Sequence, residues 1–293
     1  MDATLLKAAL PSIPLVNQLP GIRKTGGDPS ALREERVAAV EADRVRAYAR
    51  VCGFPMKDVA PLPYPHLLAF PLHMAIMTSP RFPYPAMGGV HITNSITSRR
   101  PVALGETLHL AVHTSAPRSH PQGTLIDFRA AATADCEVVW ESTSTYLLRG
   151  GPRVVSTGSA SGAEPTADAG GSSRGPREIP PGRVSWQLPG DLGRRYAAVS
   201  GDHNPIHLYP LTAKALGFPR QIVHGMWSLA RCVAALENRL PDAVIVEAAF
   251  KKPIFLPGSV GFGVDTTTEG DLAFALTSPK NGAPHLVGRT HAA

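Results

Sequence analysis

The chain has 293 residues, 43% of them apolar and 18% charged, a balance that excludes wholesale disorder and supplies enough hydrocarbon for two modest cores or one large one. Twenty-nine Lys and Arg against 23 Asp and Glu give a net charge of +6, which suits an anionic ligand or an acidic carrier protein. With no Lys/Arg block and no aromatic-interleaved basic motif, nucleic acid is not the expected partner.

The N-terminal apolar run is too short, and too soon followed by Pro11, Pro14 and Pro20, for a signal peptide. No stretch reaches the ~18 apolar residues that span a bilayer. Cys52, Cys136 and Cys232 are odd in number and widely spaced, which fits packing thiols in a reducing compartment. The expectation is a cytoplasmic protein that does not enter membranes.

In chain order, the first predicted helix covers 71–79, and β-rich or alternating runs predict strands at 91–98, 107–114, 124–134 and 138–147. From 156 to 173 every residue except Glu164 and Asp168 is Gly, Ser, Thr, Ala or Pro, too little apolar surface to offset the entropy of ordering. A linker over 151–182 therefore separates an N-terminal domain, 1–150, from a C-terminal domain, 183–293. In the latter, Pro210 opens a short helix over 210–216 that Gly217 ends. A longer helix over 225–240 carries Met226, Leu229, Val233, Leu236 and Leu240 on one stripe, and Pro241 stops it. Strands follow at 243–250, 260–267 and 272–276.

The two domains look like copies. Tyr48-Ala49-Arg50-Val51-Cys52-Gly53 matches Tyr196-Ala197-Ala198-Val199-Ser200-Gly201, and Arg99-Arg100-Pro101 matches Lys251-Lys252-Pro253, in the same order and at nearly the same offset. One long helix followed by an antiparallel meander, twice, is an α+β plan in which a sheet wraps a helix.

The densest chemistry lies just after the second copy of the repeat. Asp202, Asn204 and His207 fall within one short segment, and Pro205 disfavours helix at Asn204. A non-helical loop of this kind turns a carboxylate and an imidazole toward one water, with Asn204 tying the turn together. The competing reading is an Asx-turn with a surface histidine. A metal site at His203, His207 and His224 is disfavoured, because Pro205 breaks the helical spacing that two histidine ligands need, so no metal is expected. At the predicted start of the long helix, the Gly225 N–H is placed to meet a developing oxyanion.

The string from Tyr196 to His207, with Ala213 and His224-Gly225-Met226 after it, closely resembles the hydratase motif of the MaoC-like dehydratases and R-specific enoyl-CoA hydratases. The resemblance implies a double hot-dog fold and reversible, cofactor-free hydration of trans-2-enoyl thioesters to (3R)-3-hydroxyacyl thioesters in fatty-acid metabolism. It makes Asp202 and His207 the catalytic pair and Gly225 the oxyanion donor, with Asn204 and Ser200 positioning the loop. Which of Asp202 and His207 takes the proton stays open.

An offset of 148 sets Asp202, Asn204 and His207 against Phe54, Met56 and Val59, so the first domain is expected to lack chemistry and to line an acyl tunnel with these residues or with the run 67–77. Lys251, Lys252, Arg99 and Arg100 are candidate contacts for coenzyme A phosphates or an acidic carrier protein. The alternatives are a hot-dog thioesterase or a non-catalytic acyl-thioester-binding subunit. The expected assembly is a monomer, already a pseudo-dimer, or a homodimer.

Overall fold

The computed structural model describes residues 24, 26–85, 89–149, 151–152 and 179–293, so most of the expected linker, at 153–178, lies outside the described residues. Among the described residues eleven strands form one antiparallel sheet. They are β1 (Arg33–Ala39), β2 (Val90–Ser98), β3 (Thr107–Thr114), β4 (Arg118–His120), β5 (Gly123–Ala134), β6 (Glu137–Leu148), β7 (Val184–Leu188), β8 (Val244–Phe250), β9 (Gly258–Thr266), β10 (Leu272–Thr277) and β11 (Pro284–Ala292). Their order is β1-β3-β5-β6-β2-β8-β11-β10-β9-β7, with β4 paired to β5. Read from the β2–β8 seam, the two directions repeat one another strand for strand. The seam itself runs from Thr93 opposite Ala249 to Ser98 opposite Val244.

Five α-helices lie among the described residues: α1 (Ala42–Cys52), α2 (Tyr64–Thr78), α3 (Leu192–Ser200), α4 (Pro210–Ala215) and α5 (Gly225–Leu236). Helices α1 and α3 are the repeat seen in sequence. Each ends at a glycine in the left-handed region, Gly53 at φ 80° and Gly201 at φ 75°, where a Cβ would be strained. They pack together through Tyr48 and Tyr196, whose rings lie 6.3 Å apart. Trp227 on α5 donates to the Val51 carbonyl of α1 at 3.0 Å, so the second long helix is tied to the first half.

Three expectations need correction. Helix α2 starts at Tyr64, well before Pro71, because Pro65 takes the first turn and Pro71 sits inside the helix. Helix α5 ends at Leu236 and a 3-10 turn, Glu237–Arg239, covers the rest of the expected span. The third concerns the alignment of the halves. Val59 bridges Ala103 and Ile222 bridges Phe255, and Ala103 and Phe255 hold equivalent places after β2 and β8. Val59 is therefore the counterpart of Ile222, not of His207. Residues 202–221 stand where the first half has only 54–58, so the segment that carries Asn204 and His207 has no counterpart there.

Candidate active site

The segment from Ser200 to His207 folds on itself through local bonds. The Asp202 N–H donates to Ser200 Oγ at 3.2 Å, the Asn204 N–H to Asp202 Oδ1 at 3.1 Å and the Ile206 N–H to Asn204 Oδ1 at 3.4 Å. Asn204 thereby caps a single 3-10 turn, Pro205–His207. The Asx-turn expected as the competing reading is present, and it serves the chemistry, because it fixes the Asp202 carboxylate beside His207. Gly193, in the first turn of α3, makes the close approach possible: a Cβ there would stand 1.9 Å from the His207 carbonyl oxygen.

His207 is buried, and its Nδ1 lies 2.8 Å from the Ile222 carbonyl oxygen. A carbonyl only accepts, so Nδ1 carries the proton in the neutral ring and Nε2 is left with a lone pair. His224 is buried too, and its Nε2–H donates to the Asp202 carbonyl at 2.9 Å. The two imidazoles stack at 3.7 Å. Burial pushes the His207 imidazole below its ordinary value, against the opposing pull of Asp202. Burial takes His224 down to about 3, so both rings are neutral near pH 7. Asp202 is pushed up by burial, but His224, His207, the Asn204 N–H and His203 together hold it below the ordinary carboxylate value. Its side chain keeps 29% exposure, toward the cavity.

Asp202, His207 and His224 offer atoms within 4.8 Å of one another, a spacing that would suit a metal ion. Two of the four ring nitrogens are already engaged, His207 Nδ1 with the Ile222 carbonyl and His224 Nε2 with the Asp202 carbonyl.

These groups open on a cavity of about 650 Å³. Gly225 lines it as the first residue of α5, where helix geometry leaves the N–H without an intrahelical acceptor and adds partial positive charge. Lys251 and Lys252 line it as well, next to His285, whose carbonyl accepts from the Lys251 N–H at 2.8 Å. Arg99 and Arg100 do not. They follow β2 at the opposite end of the seam and pair with Glu141 at 2.6 Å and Glu106 at 2.5 Å.

The first half supplies a wall, though not with the residues expected. Phe54 is buried against Tyr48, Met56 is 52% exposed, and Val59 lies in its bridge; none of them lines the cavity. Leu67, Phe70, Pro71, Met74 and Met77 do, from within the run 67–77, on the helix α2 that packs over β1, β3 and β5. His66, His91 and Tyr146 join them, and their convergence had no local signal in the sequence. His224 was visible as a histidine next to Gly225; its stacking on His207 was not.

A family model described as the MaoC like domain matches residues 180–271, which contain Asp202, His207 and Gly225. The chain is 37% identical over 287 residues to the 3-hydroxyacyl-thioester dehydratase X of Mycobacterium tuberculosis, covering 96% of this chain and 94% of that protein. The crystal structure of HtdX from the same organism superposes with a TM-score of 0.73 at 32% identity, over 89% of this chain and all 100% of that one. Over 76 residues, 25% of this chain and 57% of the relative, it is 36% identical to the (R)-specific enoyl-CoA hydratase of Aeromonas caviae. The α+β, helix-in-sheet plan and its duplication are thus shared along nearly the whole length, and the chain belongs to the MaoC-like dehydratase family in its double hot-dog form.

Proposed function

We propose that the protein adds water reversibly across trans-2-enoyl thioesters to give (3R)-3-hydroxyacyl thioesters, as a hydro-lyase of fatty-acid metabolism, with Asp202 and His207 as the catalytic pair. The observation that carries this reading is an ionised carboxylate beside a neutral imidazole with a free Nε2, in one cavity with a helix N-terminal N–H. The names of the relatives supply the reaction class and the R configuration.

In the hydration direction a water lies between Asp202 and His207. Its oxygen bonds to the β carbon while Nε2 takes a proton. The imidazolium is then stabilised on both sides, by the Asp202 carboxylate and by the Ile222 carbonyl that accepts from Nδ1–H. This arrangement favours His207 as the base, since Asp202 is held too acidic to keep a proton. Electrons displaced from the double bond gather on the thioester oxygen, where the Gly225 N–H and the start of α5 meet them. A proton passed from the imidazolium to the α carbon completes the addition and restores the base. No cofactor takes part in these steps.

Lys251 and Lys252 at the cavity edge suit the phosphates of coenzyme A or of a carrier-protein prosthetic arm. No helix among the described residues is long and apolar enough to cross a membrane. The cytoplasm is the proposed compartment and a monomer or homodimer the proposed assembly, since the halves already pair through β2 and β8.

The test follows loss of enoyl absorbance with a trans-2-enoyl-CoA. Wild type is expected to turn over, and Asp202→Asn and His207→Ala to lose ~10²–10⁴-fold in kcat. Release of free coenzyme A would make the protein a thioesterase, and no turnover by wild type would leave a binding subunit.

A further inference from the structure

The cavity wall supplied by the first half is not plain hydrocarbon. Among the apolar side chains of α2 stand His66, only 3% exposed, and across from it His91 at the start of β2 and Tyr146 on β6. The three rings lie nearly parallel: His66 and His91 are 6.4 Å apart at 17°, and His91 and Tyr146 are 4.6 Å apart at 19°. Behind them His73, fully buried, meets His66 edge-on at 5.3 Å. Four ring nitrogens of this group, His66 Nδ1, His91 Nε2 and both of His73, have no hydrogen-bond partner among the described residues. Pro71, inside α2, brings no N–H to the Leu67 carbonyl, and both residues line the cavity.

Buried polar groups are rarely left unpaired, and a cluster of them in a binding cavity calls for a partner from outside. A plain alkyl chain entering here would leave these groups unpaired. Burial takes His66 down to about 4 and His91 to about 3, so the rings are uncharged near neutrality and offer no counter-charge to a carboxylate. Their chemistry fits a neutral oxygen.

Building on the acyl-thioester reading above, we propose that the wall formed by His66, His91 and Tyr146 selects acyl chains that carry a second, uncharged oxygen function, such as a hydroxyl, carbonyl or ether, over plain alkyl chains. The second half supplies the hydration chemistry, and this wall reads the rest of the chain. A hydroxyl donates to an imidazole nitrogen and accepts from Tyr146, and a carbonyl or ether accepts from the tyrosine or from a ring N–H.

The test is calorimetric binding of saturated acyl-CoAs to the full-length protein, which requires no turnover. Octanoyl-CoA is compared with the octanoyl-CoAs hydroxylated at the fifth to eighth carbons, for wild type, Tyr146→Phe and His66→Phe, with thermal unfolding to confirm that each variant is folded. At least one hydroxylated isomer is expected to bind wild type about tenfold more tightly than octanoyl-CoA, with that ratio falling severalfold in the variants. A chain ending in a carboxylate is expected to bind less tightly than octanoyl-CoA. Equal or tighter binding of octanoyl-CoA by wild type overturns the proposal, and so does a ratio unmoved in folded variants. If neither variant folds, the wild-type ratio alone decides. Failure of the hydratase reading is recognised separately, as no loss of enoyl absorbance whatever these ratios are.

Discussion

The charge state of His207 links the site to pH. In the role of base proposed above it works only when neutral, and burial holds it below the ordinary imidazole value of 6.5, while Asp202 pulls it partly back. The acid limb of kcat/KM is therefore expected below pH 6.5. Asp202→Asn removes the negative charge that favours the imidazolium, so the residual activity of that variant should show its acid limb at lower pH still. A limb that stays in place or moves upward would show that His207 is not the titrating base. Asp202, Asn204 and His207 were legible in sequence because Pro205 and the Asx-turn hold them within one local segment. The roles of His224, His66, His91 and Tyr146 were not, because each depends on contacts between elements distant along the chain.

Among the elements, α3 bears most directly on the site although it contributes no reacting group. Its first turn lies against the backbone of His207, and only a residue without a Cβ fits there. Gly193→Ala is expected to cost about 1–3 kcal/mol of stability, since the atom met is backbone and has no rotamer to escape into. It should also lower kcat about 10²-fold by displacing His207. An unchanged melting temperature and kcat in the Gly193→Ala variant would contradict the close approach. Helix α5 was readable because its apolar stripe is one-sided, whereas α2 is buried along most of its length, from Tyr64 through Thr78, and leaves no periodic contrast to mark its start. Strand β1 escaped for the opposite reason. Its sequence, Arg-Glu-Glu-Arg-Val-Ala-Ala, is that of a charged and exposed sheet edge, which lacks the apolar alternation of an inner strand.

At the scale of the whole molecule, the duplication was legible from Gly53 and Gly201 and from the paired cations after β2 and β8, which the structure sets in equivalent places. The seam was not, because strand pairing between halves leaves no mark in the sequence of either. That seam, the tilted contact of Tyr48 with Tyr196 and the bond from Trp227 to Val51 join the halves without help from residues 153–178. Coexpressed as two chains, 1–152 and 179–293, the halves are expected to copurify and hydrate a trans-2-enoyl-CoA, while neither does so alone. Recovery of the halves as separate species would refute this.

The cavity bounded by both halves also bears on how such a protein diversifies. Residues 202–221 exist in one copy only, so substitutions around His66, His91 and Tyr146 alter what is admitted and leave the proposed proton-moving side chains in place, although the three rings lie near enough to feel the Asp202 charge. Exchanging the first copy between relatives, with the β2 edge kept compatible with β8, should transplant acyl preference onto an inherited reaction. Selectivity and chemistry can then follow separate histories within one gene.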